Sequence, residues 1–130
     1  MTKTASAHLK SLRMAPRKVR FVANVIRKMS ARDAEAQLMV QRRRAAVPLL
    51  KLLRSAVANA KQASMDADKL VIQSLRIDQG TMLKRFLPKA HGRATPIQKK
   101  LSHVHIVLAE KESQKESKFV MPKKSKKSTN

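Results

Sequence analysis

Residues 83–100 read LKRFLPKAHGRATPIQKK, a segment with six Lys or Arg, no acid, and prolines four residues either side of Gly92. Pro88, Gly92 and Pro96 exclude a helix there, because proline breaks the i to i−4 hydrogen-bond ladder and glycine is a poor helix former. The runs on either side, LVIQSLRI at 70–77 and LSHVHIVLA at 101–109, are aliphatic and β-branched and predict two strands. A long irregular hairpin with its turn near His91-Gly92 joins them. Both of the chain's glycines, Gly80 and Gly92, fall in this region, where turns and bulges need positive φ or close approach. At about 3.3 Å per residue, limbs of about ten residues over 79–101 project roughly 30 Å. The prolines are expected to interrupt normal pairing at their positions. Since an isolated two-stranded ribbon is marginal in water, such an arm needs something to lie against.

The remaining apolar residues follow a helical period. PRKVRFVANVIRKM places Val19, Val22, Ala23 and Ile26 on one stripe, with Pro16 in a first turn whose amides lack intrahelical partners anyway. Residues 3–13 form an extended lead-in. Ser30 and Asp33 resemble a capping box opening a short helix over ARDAEAQLMVQ. RRRAAVPLLKLLRSAVANAKQ predicts a third helix, with Val47, Leu50, Leu53, Val57 and Ala60 along its inner side and Pro48 near its start. The polar SMDADK ends the helices. Residues 111–130, rich in Lys and Ser, are too poor in apolar residues to offset the entropy of ordering and are expected to be disordered. One domain over 1–110, with that tail, is the expected organisation.

Charge sets the partner. Thirty Lys and Arg against eight Asp and Glu give a formal net charge of +22 in 130 residues, and residues 1–32 and 79–109 contain no acid. A mixed-sign soluble surface does not look like this, and such self-repulsion calls for a polyanion. No apolar window of about 18 residues exists to span a bilayer, and the prolines of 83–100 argue against a basic amphipathic helix on a membrane surface, so no membrane partner is expected. The basic amino-terminal stretch resembles a transit peptide in composition but runs directly into a good helix, and is read as mature protein.

The absence of cysteine and of a Gly-rich phosphate loop, with the acids scattered, argues against catalysis. His103 and His105 stand two apart on a strand and share a face, but no third ligand follows to hold a metal; strand histidines that touch RNA or solvent account for them. No cofactor is expected. With three phenylalanines and no Trp or Tyr, stacking of successive bases is not the main mode of nucleic-acid binding. What remains is phosphate and ribose contact by Lys and Arg. The body candidates are Arg13, Arg17, Lys18, Arg20, Lys28, Arg42, Arg43 and Arg44, with His103. A histone-like condensing protein is the rival reading, although it requires neither alternating strands nor a Pro-Gly tip.

Three segments in this order, PRKVRFVANVIRKMSARDAEAQL, AAVPLLKLLRSAVANA and LKRFLPKAHGRATPIQKKLSHVHIVL, resemble the bacterial form of the L twenty-two family of large-subunit ribosomal proteins, over about residues 8–109. The resemblance implies an α+β fold of three helices on a small three-stranded antiparallel sheet. A long protruding hairpin would reach into the wall of the polypeptide exit tunnel. It also implies a non-enzymatic structural role in the ribosome of the cytoplasm or an organelle, bound to large-subunit ribosomal RNA beside neighbouring ribosomal proteins. By position, Lys84, Arg85, Lys89, Arg93, Lys99 and Lys100 would touch RNA. The tip Pro88, Lys89, Ala90, His91, Gly92 and Arg93 would face the nascent polypeptide, and in this family hairpin changes are associated with altered macrolide response. The sequence departs from the family where Ala15 replaces the usual capping Ser, at His91 and Pro96 where basic residues are common, and in its tail.

Overall fold

The computed structural model describes residues 3–111. In chain order these form β1 (Thr4–Leu12), α1 (Pro16–Ile26), α2 (Ala31–Val40), α3 (Ala46–Gln62), β2 (Leu70–Pro88) and β3 (Ala94–Glu110), with short 3-10 turns at Ala67–Lys69 and Ala90–Gly92. The three strands make one antiparallel sheet in the order β1-β3-β2. This is the expected α+β architecture. The expected disordered tail lies outside the described residues apart from Lys111.

Helix termini follow their local chemistry. Pro16 opens α1, and Ala15 provides no side-chain cap. Ser30 caps α2: its hydroxyl accepts from the Asp33 amide at 3.1 Å and donates to Asp33 Oδ2 at 2.7 Å. Aspartate is one methylene too short to copy the reach of Glu to the cap amide, so it holds the capping hydroxyl instead. At the end of α3, Ser64 adopts φ 55°, its amide bonds Lys61 O at 3.0 Å, and the Met65 amide bonds Ala60 O at 3.0 Å. These are the paired bonds of a Schellman stop, with Met65 buried beneath it.

Among the described residues the core is aliphatic, with Ser102 the one buried polar residue. Val19, Val22, Ala23 and Ile26 of α1 are buried as the stripe predicts. They meet Ala5 and Ala7 of β1, Leu70, Ile72, Leu75 and Ile77 of β2, and Val104, Ile106 and Leu108 of β3. The inner face of α3 corrects the sequence reading: Ala46, Leu49, Leu52, Leu53, Ala56 and Ala60 are buried, Leu50 and Val57 are half-buried, and Val47 is 58% exposed. Alanines on the buried stripe let α3 approach β1 and α2 closely, which moves the larger Val47, Leu50 and Val57 toward the flank.

The hairpin is more regular than its prolines suggest. Beyond a bulge between Gln79 and Met82, seven cross-strand pairs run without a slip from Met82–Lys100 to Pro88–Ala94. The turn closes with the Lys89 amide donating to Arg93 O at 2.7 Å, and His91 and Gly92 both take positive φ. Since antiparallel pairs alternate between hydrogen-bonded and non-bonded, a bonded Lys89–Arg93 pair makes Leu87–Thr95 and Arg85–Ile97 bonded, and leaves Pro88 and Pro96 at non-bonded positions. Proline's missing N–H therefore costs the ladder nothing, and the expected interruption of pairing does not occur. Gly80 sits in the bulge because a Cβ there would lie 2.9 Å from His103 Nε2.

Candidate nucleic-acid interface

The helix α1 lies along the free edge of β2, and Arg20 within it and Arg27 at its C-terminal cap hold it there. An Arg20 guanidinium N–H donates to Ile77 O at 3.0 Å and one from Arg27 to Leu75 O at 3.3 Å. Further up the same edge, the Ile72 amide donates to Met29 O at 3.0 Å beside the Ser30–Val71 bridge. These contacts cover strand hydrogen-bonding groups that would otherwise invite another strand. Arg20, a candidate RNA contact, thus has a structural task. Its partner Arg27 was not singled out from the sequence, although a spacing of seven, two helical turns, was the available signal.

On the outer side of α1, Arg17, Lys18 and Phe21 are exposed. The Arg43 guanidinium lies 3.9 Å above the Phe21 ring and ties the Arg42–Arg44 loop to this helix. The structure therefore sets Arg43 over an exposed ring that follows Arg17 and Lys18 by one helical turn. Arg13 is exposed in the β1–α1 turn and Lys28, at φ 65°, in the turn after α1.

All six arm cations are exposed. Alternation along the ribbon puts Arg85, Lys89, Arg93 and Lys99 on one face and Lys84 and Lys100 on the other. The distal end of the second face carries only Phe86, Pro88, Ala94 and Pro96, with no charge.

The outer sheet face carries a row the sequence only half revealed. His8 and His105 stack with ring centroids 4.0 Å apart and Arg76 pairs across from His105. His103 and His105 do share this side, as their spacing requires, but His103 is committed: its Nδ1 accepts the Ser11 amide at 2.9 Å, and its Nε2 faces Gly80. His103 thus joins two bulges at the base of the arm, an arrangement invisible without the register. Burial first, then the charges of His8 and Arg76, hold the His105 pKa below the usual imidazole value. A depressed histidine pKa contributes stability that is present above the unfolded value of about 6.5 and is lost as pH falls toward the folded value. The urea midpoint should drop between pH 7.5 and 5.5, and more in the unaltered chain than in His105→Gln; equal drops would remove His105 as a cause.

The acids of the described residues are all engaged. Among the described residues, Arg32–Asp68 (3.8 Å), Arg54–Glu35 (2.8 Å), Lys69–Asp66 (2.9 Å) and Arg76–Asp78 (3.0 Å) are the ion pairs, while Asp33 holds Ser30 and Glu110 accepts the Asp66 amide. Among the described residues none of the candidate cations is in an ion pair, and the four pairs are exposed enough to add little stability. Among the described residues no cluster of three or more His, Cys, Asp or Glu could hold a metal, and no helix is long and apolar enough to cross a membrane.

Exposed cations from acid-free stretches, on a helix and on a protruding ribbon, define a small basic α+β binding protein. The model of the ribosomal protein L22p/L17e family matches residues 7–109. The chain is 49% identical over 109 residues to the large ribosomal subunit protein uL22 of Myxococcus xanthus, covering 82% of this chain and 96% of that protein. It is 48% identical over 107 residues to that of Mesoplasma florum, covering 82% and 96%, and 51% identical over 104 residues to that of an Anaeromyxobacter species, covering 78% and 72%. The chain belongs to the ribosomal protein L22p/L17e family and is a structural, non-enzymatic protein of the large subunit.

Proposed function

We propose that the chain is held in the large subunit by phosphate contacts to ribosomal RNA, made in the body by Arg13, Arg17, Lys18, Lys28 and Arg42–Arg44. On the arm they are made by Lys84, Arg85, Lys89, Arg93, Lys99 and Lys100. The tip Pro88–Arg93 lies beside the path of the nascent polypeptide, and neighbouring ribosomal proteins complete the setting. The observation that carries this reading is that these cations are exposed and form no ion pairs among the described residues, while every described acid is engaged elsewhere. Exposed, unpaired Lys and Arg are the groups that release counterions from a phosphate backbone.

Affinity for large-subunit ribosomal RNA should therefore fall steeply with salt, by about 0.7–0.9 in log K per phosphate neutralised for each tenfold rise. Titrations from low to moderate salt, against folded ribosomal RNA and duplex DNA in parallel, test it. A flat salt response contradicts the phosphate-contact reading, and equal affinity for the two polymers favours a general nucleic-acid condenser.

A further inference from the structure

Among the described residues the hydrophobic core cluster contains only Ala, Val, Ile, Leu and Met. Phenylalanine is ordinarily a core residue, yet both phenylalanines among the described residues lie outside: Phe21 is 52% exposed and Phe86 70% exposed. Their surroundings are alike in one respect. Each is an isolated ring in an acid-free stretch of the sequence with cations nearby, Phe21 following Arg17 and Lys18 by one helical turn and lying under Arg43, and Phe86 on the ribbon face that carries Lys84. The two settings differ in what frames the ring. Phe21 is covered on one side by the Arg43 guanidinium, whereas Phe86 stands opposite Pro96 at a non-bonded pair, where cross-strand side chains are closest. Around Phe86 the face carries Pro88, Ala94 and Pro96, which leave an uncharged platform with cations at its margins.

Resting on the ribosomal-RNA reading, we infer that Phe86 on the arm and Phe21 under Arg43 on the body each stack an unpaired nucleobase of that RNA. A base offers a flat π surface and a flanking phosphate, and these two sites offer an exposed ring face with lysine or arginine nearby, on the opposite face at Phe21 and further along the ribbon face at Phe86; base–aromatic stacking is tolerant of sequence and adds to counterion release. Two rings are too few for a single-strand binding track. They act as two anchors that fix the position of a protein otherwise held by non-directional charge.

The chain lacks Trp and Tyr, so F86W or F21W in the full chain carries a single indole reporter. Bound to large-subunit ribosomal RNA, with saturation established independently by co-sedimentation, each indole should be quenched. F86A should weaken binding about fivefold to a hundredfold, as loss of one stacked base does, with the slope against log salt unchanged because no phosphate contact is lost. F86Y should retain affinity, and F86L should behave like F86A. Arg43→Ala, by contrast, should lower the slope. Unchanged indole emission in a saturated complex overturns the assignment at that position, and full affinity in F86L shows apolar contact without stacking and overturns it too. If the unaltered chain itself fails to bind the RNA, the ribosomal-RNA reading falls and this inference with it. Both positions are exposed, so folding of the variants is not at stake.

Discussion

Replacing Phe86–Pro96 with Asn-Gly should leave the body folded and assembled while changing what passes the tip. The cut falls at Arg85–Ile97, a hydrogen-bonded pair, and such a pair closed by Asn-Gly matches the type I′ turn that fits the twist of a ribbon. Every residue removed is exposed, and the core cluster contains none of them. The melting midpoint should therefore stay within about 2 °C, because 1 kcal/mol moves a domain of this size by about 4–8 °C. The deletion removes two cations, Lys89 and Arg93, so the salt slope of RNA binding should fall by only about 1.5. The body cations remain, and large subunits should still contain the shortened protein. Because the tip is proposed to lie beside the nascent chain, those subunits should show altered nascent-chain stalling or macrolide susceptibility. Absence of the shortened protein from assembled subunits, or its presence with both responses unchanged, would mean that body and tip do not divide the work this way.

Elements set by local chemistry were legible in the sequence. The α1 stripe, the Ser30 cap, the uncapped Ala15 and the His91-Gly92 turn each depend on neighbours within a few residues, and each stands where the sequence put it. The inner face of α3 was not, because which of two adjacent apolar stripes turns inward depends on the helix and strand it meets. Proline pairing was missed for a similar reason: whether Pro88 and Pro96 cost a hydrogen bond depends on the phase of the ladder, which the closing Lys89–Arg93 bond sets. In the candidate site, charge and its acid-free segments were legible, but individual roles were not. Arg20 and Arg17 differ by three positions in one helix, and only the packing of α1 on the β2 edge turns the first to a strand carbonyl and leaves the second outside.

The largest expected loss of stability comes from Leu108→Ala. Leu108 is fully buried in the central strand, paired with Ala5 on one side and Ile72 on the other, so no neighbouring strand end can fold in to fill the space. A cavity of that kind costs about 2–5 kcal/mol, against a total of about 5–15 kcal/mol for a typical domain. This protein is expected to start near the lower end of such a range, because a formal charge of +22 opposes compaction in the absence of its polyanion. Two consequences follow with opposite salt dependence. Screening the self-repulsion should raise the urea midpoint of free Leu108→Ala, whereas the same salt should strip it from RNA. At low salt, ribosomal RNA at a hundred times its dissociation constant should restore about 2.7 kcal/mol by binding only the folded form. The check is a set of urea titrations of the variant with and without salt and RNA, with Leu87→Ala, at an exposed arm position, as the control expected to change stability by less than about 0.5 kcal/mol. A midpoint for Leu108→Ala close to that of the control would show that the sheet centre does not carry the fold. A midpoint that falls as salt is added would show that the net charge does not oppose it.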